Sequence, residues 1–141
     1  MNFWPNLHDN RREREKLYMV RGQSMKSHYF DLEERTASFG EAVIKFSQSL
    51  PQNRVLDVLV RQIVRSATSV GANYMEADCA CSEKDFKYKI NLCRKEAKET
   101  KHWLRMIAKA NPDTLGVGRE LWQEVHELTL IFSSIFMSKN G

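Results

Sequence analysis

Thirty residues without a glycine or proline, Ser82 to Asn111 (SEKDFKYKINLCRKEAKETKHWLRMIAKAN), constrain this chain more than any other stretch. Ser82 can accept hydrogen bonds from the first free amides of a helix, and Asp85 stands where a capping box places its acidic partner. Pro112 stops the run. Phe86, Ile90, Cys93, Ala97, Thr100, Leu104 and Ile107 recur in steps of four and three, the spacing of one helix face packed along its whole length on other helices. Leu92, Trp103 and Met106 widen that face. A helix of this length spans roughly 45 Å at about 1.5 Å per residue. It cannot bury such a stripe alone, so the remaining segments are expected to be helices of similar length.

Three further segments fit. Leu32, Thr36, Phe39, Val43, Phe46 and Leu50 predict a helix over about 32–49, with Asp31 as N-cap and Pro51 as its end. Gly40 inside it is expected to mark a close helix contact. Leu56, Val60, Ile63, Ala67, Val70, Tyr74 and Ala77 predict a helix over about 54–80. Its many β-branched residues favour strands by propensity, but the period of three to four overrides them. Gly71 and Ala72 would let a neighbour approach. Leu121, Val125, Leu128, Phe132 and Ile135 predict a helix over about 117–138, with Trp122, Ile131 and Phe136 beside the stripe. That apolar excess suggests an exposed seam and hence self-association. The links are short, so neighbours run antiparallel. The expected fold is all-α, an up-down-up-down four-helix bundle over residues 30–141. Residues 1–29 lack a sustained period and read as a loose basic leader, in which Met19 and Met25 are alternative translation starts.

At 141 residues and 42% hydrophobic content the chain can bury a real core. No run approaches the roughly 20 apolar residues of a membrane span. The N-terminus lacks the apolar core of a secretory signal, which makes the cytoplasm the default compartment. Cys79, Cys81 and Cys93 are odd in number, against a disulfide framework, and C-x-C without a second pair does not complete a zinc set. The net charge of +4 is unevenly placed: nine basic and four acidic residues lie between Ser82 and Asn111, six and three within residues 1–30.

The strings LVRQIVRSATSVGANYMEAD (59–78) and SEKDFKYKINLCRKEAKETKHWLRMIAKA (82–110), with YFDLEERTASFGEAVIKF (29–46), resemble the bacterial four helix bundle proteins encoded in 23S rRNA intervening sequences. The resemblance covers roughly residues 29–138. It implies a homo-oligomer, typically a pentameric ring of bundles. A more distant relative is the accessory protein of diversity-generating retroelements, which works with a reverse transcriptase and nucleic acid. The resemblance brings no catalytic residues.

Three constellations remain. Lys87, Arg94, Lys98, Lys101 and Arg105, spaced seven, four, three and four apart, are expected to share a face of the long helix away from its apolar stripe. Such a face is a solvated surface or a phosphate-binding track. Counting equally from the turn near Cys81 sets Arg65 at the level of Lys98 and Glu99, and Arg61 at the level of His102. Arg65 is therefore expected to pair with Glu99 or Glu96, with Arg61 nearby, in a polar network at the edge of the core. Glu99 and His102 form E-x-x-H, the ligand pair of di-iron bundles, but such a site needs a second E-x-x-H and two more inward Glu. The nearest approach is Gln123 with His126. Ser66, Thr68 and Ser69 lie near no His in sequence, and there is no Gly-rich phosphate loop. No catalytic residue, metal or cofactor is assigned. The leading reading is a non-enzymatic, self-associating scaffold that binds RNA through its basic third helix. The rival is a protein-interaction or structural module without nucleic-acid binding, and the remote alternative a metal-dependent bundle enzyme.

Overall fold

A computed structural model describes residues 32–138 of the chain. The leader read over 1–29, the N-cap assigned to Asp31 and residues 139–141 lie outside them. Four helices account for almost all of the described chain: α1 (Leu32–Gln48), α2 (Arg54–Asp78), α3 (Glu83–Ala110) and α4 (Leu115–Met137), with a short 3₁₀ turn, Pro112–Thr114, before the last. They form an antiparallel four-helix bundle. α2 and α3 share the most extensive seam, followed by α3 with α4 and α1 with α2, whereas α1 meets α4 only thinly. α1 thus stands diagonally across the bundle from α3.

Local chemistry sets the ends. Ser82 caps α3 by accepting from the Asp85 amide at 3.1 Å. Asn53 caps α2 in the same way, accepting from the Leu56 amide at 2.9 Å. Pro112 opens the 3₁₀ turn, and α4 begins at Leu115, two residues before the expected Val117.

The core is built from the predicted stripes: Leu32, Phe39 and Val43 of α1, Ile63, Ala67 and Val70 of α2, Ile90, Cys93 and Leu104 of α3, and Val125, Leu128 and Phe132 of α4 are all at most 2% exposed. Cys93 donates to the Val70 carbonyl across 3.6 Å, which sets the α2–α3 register at equal counting from the turn. Thr100 donates to Ser66 Oγ at 2.8 Å further along the same seam. α1 and α2 approach closely at two glycines. A Cβ on Gly40 would stand 3.7 Å from Thr68 Cα, and one on Gly71 would stand 3.4 Å from Thr36 Oγ1.

The exposed apolar seam expected on α4 is absent. Trp122, Ile131 and Ile135 are buried, and of its large apolar residues only Val117 and Met137 are exposed. The excess goes into the core, because α4 is apolar on more than one stripe. The exposed large apolar side chains sit elsewhere: Ile44 on α1, Val55, Val58 and Met75 on α2, and Tyr88 on α3. No described helix is long and apolar enough to cross a membrane.

Candidate nucleic-acid interface

α3 has four sides, and each does something different. The core stripe faces inward. On one flank, Lys87, Arg94 and Lys101, each seven residues from the next, lean over α4. Lys87 Nζ donates to the Ser138 carbonyl at 3.1 Å. The Arg94 guanidinium lies 4.7 Å from the centre of the Phe136 ring. Lys101 Nζ lies 5.4 Å from the Trp122 ring and 3.3 Å from His126 Nδ1, and His126 stacks on Trp122 at 4.9 Å. All three cations are only partly exposed. The hydrogen bond holds Lys87 to the bundle, and cation–π contacts hold Arg94 and Lys101.

On the opposite flank, Glu96 and Glu99 face α2. Arg65 reaches both: Nη1 donates to Glu96 at 3.3 Å, and Nη2 donates to Glu99 Oε2. The hydrogen bond to Glu99 chiefly raises the Arg65 pKa. Burial, then a hydrogen bond to Glu99, raises the Glu96 carboxyl above its ordinary range despite Arg65. Two turns nearer the α2–α3 link, Lys89 Nζ pairs with Glu76 at 2.7 Å. Arg61 is exposed, and among the described residues no ion pair reaches it.

The fourth side, opposite the core, is exposed. It carries Lys95, Lys98, His102, Arg105 and Lys109, in steps of three and four. The five-residue stripe expected from sequence is therefore split. Lys98 and Arg105 stand on the open face, whereas Lys87, Arg94 and Lys101 lie in the α3–α4 groove. The expectation placed all five on one face because their spacings are each compatible with a helix side. Around a helix of 3.6 residues per turn Lys98 stands only about 40° from Arg94 and about 60° from Lys101, and the structure separates them because α4 covers one side of that arc and leaves the other open. Lys95, His102 and Lys109 were missed. The signal was present: they mirror the apolar stripe across the helix axis.

His102 packs edge-on against Trp103 at 4.9 Å and points outward, while Glu99 is engaged by Arg65. Among the described residues no three His, Cys, Asp or Glu are placed to hold a metal ion. Cys79 and Cys81 are exposed at the α2–α3 turn. Burial pushes the Cys93 thiol up to about 12.

No curated protein matches the chain in sequence. Among solved structures, it resembles a protein of unknown function from the S23 ribosomal protein family of Bacteroides thetaiotaomicron VPI-5482. The two are 28% identical, with a TM-score of 0.72, over 78% of this chain and 98% of that one. The sequence profile of the 23S rRNA-intervening sequence protein family matches residues 30–134, which takes in all but the last turn of the bundle. The chain therefore belongs to the 23S rRNA-intervening sequence protein family.

Proposed function

We propose that the protein is a non-enzymatic, self-associating helical scaffold that binds RNA through the outer face of α3. One observation carries this reading. Lys95, Lys98, Arg105 and Lys109, with His102 among them, form an open basic stripe about 21 Å long, at about 1.5 Å per residue. The two carboxylates nearest to it on α3, Glu96 and Glu99, are turned aside to Arg65, which offsets part of their charge. A stripe of solvated ammonium and guanidinium groups binds phosphates by releasing counterions, without reading bases. Self-association is what the family resemblance implies, typically as a pentameric ring.

The test is binding of a single-stranded RNA at several salt concentrations. Replacing Lys95, Lys98 and Arg105 by Gln is expected to weaken binding to all sequences alike. Its salt slope should fall by about 0.7 for each phosphate that the variant no longer neutralises. Replacing Lys87 and Lys101, which are held against α4, is expected to do less. Unchanged affinity and slope in the first variant would refute binding through this face, and a wild type that binds no RNA would leave the protein-interaction reading. Light scattering tests the assembly: a mass several times the 16.5 kDa of one chain is expected.

A further inference from the structure

Between α1 and α2 the bundle surface opens into a groove of about 380 Å³. Its floor is shallow and small, because Gly40 and Gly71 let the two helices approach closely. Ile44 and Met75, 39% and 49% exposed, form its apolar walls. Its rim carries Glu33, Glu34 and Glu41, all exposed, and among the described residues no cation lines it. An apolar floor under an acidic rim suits side chains with an aliphatic stem and a cationic tip, which are lysine and arginine.

Two copies cannot close groove to groove, since that would set three glutamates of one against three of the other. The face of this molecule with the required chemistry is the outer side of α3. It stands diagonally across the bundle from α1 and cannot reach its own groove. Spacing fits as well as charge. Glu34 and Glu41 are seven residues apart on α1, and Lys98 and Arg105 seven apart on α3, each pair separated by about 10.5 Å at 1.5 Å per residue.

We infer that the α1–α2 groove receives the α3 face of a second copy, with Lys98 and Arg105 against Glu34 and Glu41. The contact is head-to-tail: each copy offers one groove and one basic face, so the arrangement closes into a ring or propagates. Acidic groove and RNA then compete for the same cations. Assembly and RNA binding are thereby coupled with opposite sign. The contact rests on the self-association proposed above, and only its competition with RNA rests on the RNA binding proposed there.

Sedimentation of the full chain at micromolar concentration tests it, with helical circular dichroism to verify that each variant folds. Wild type is expected to assemble. Glu33→Gln, Glu34→Gln and Glu41→Gln together are expected to give monomers with undiminished affinity for a single-stranded oligouridylate. Glu34→Lys with Glu41→Lys, and Lys98→Glu with Arg105→Glu, are each expected to be monomeric alone and to co-assemble in equal numbers when mixed. Adding the oligouridylate to wild type is expected to lower its mass per assembly. A monomeric wild type would overturn self-association and this contact with it. An assembled wild type whose glutamine variant keeps the same mass, or a charge-swapped pair that does not associate, would overturn this contact alone.

Discussion

The bundle uses one device twice, in very different surroundings. On the α2–α3 seam Arg65 bridges Glu96 and Glu99; on the α1–α4 seam Arg35 bridges Glu124 and Glu127. Each acidic pair is an E-x-x-E on one helix, met by one arginine from the next. The Arg35 Nε donates to Glu124 at 2.6 Å and its Nη2 to Glu127 at 3.0 Å. Its side chain is 20% exposed, against 47% for Arg65. Burial works to lower the Arg35 pKa, but the hydrogen bond and charge of Glu124, with Glu127 behind it, raise it further. The seams differ in the opposite sense. α2–α3 is packed along its whole length, and the thin α1–α4 seam has little else to fix it. Where packing already sets register, an exposed bridge adds little. Where packing is sparse, a desolvated bridge decides how the helices meet.

The strongest way to break this contrast is through Cys93, which sits against Val70 in the α2–α3 seam. Its thiol is held up to about 12, above the unfolded value near 9. Folded protein keeps the proton while unfolded chain loses it. The stability is therefore intact below pH 9 and falls as pH rises towards 12, by about 1.4 kcal/mol per pH unit. Denaturant unfolding across that range should show a shallower decline in Cys93→Ala than in wild type. A thiol reagent should modify Cys79 and Cys81 quickly and Cys93 only on unfolding. Rapid modification of Cys93 would mean that the seam opens readily and is not the rigid one.

Next comes Arg35. Arg35→Met strands two part-buried carboxylates, and is expected to cost about 2–3 kcal/mol. Thermal melting should fall by of the order of 10 °C. Arg65→Met should cost under about 1 kcal/mol. Equal losses in the two variants would erase the distinction between the seams.

Glu96 gives the smallest effect and the finest reading. Because its folded pKa is raised, its contribution to stability is present below the ordinary carboxylate range and lost as pH rises through the folded value. Glu96→Gln should therefore be as stable as wild type at pH 7 or slightly more so, by under about 1 kcal/mol. The difference should shrink on acidification, where both states of the wild type are protonated. A marked loss at pH 7 would show that the exposed bridge matters more than the packing around it.

The two bridges also mark how far the sequence reaches. The sequence by itself determined the four helices, because core stripes at steps of three and four leave no other way to bury Ile63, Cys93, Leu104 and Phe132. It determined the level of Arg65 against Glu99 as well, since α2 and α3 are joined by a tight turn from which register can be counted. It contained the E-x-x-E of α4 just as plainly, yet named no partner for it. α1 and α4 are separated by two whole helices, so no count along the chain sets their register. Only the closed bundle brings Arg35 to Glu124 and Glu127. The same reason divides the basic residues of α3. Their positions on the helix follow from their numbers, but which flank α4 would cover does not. Tertiary packing drew Lys87, Arg94 and Lys101 onto Ser138, Phe136 and Trp122, and left Lys98 and Arg105 to the solvent. Helix periodicity is a local property of backbone geometry, whereas the choice between two flanks depends on where a distant helix docks.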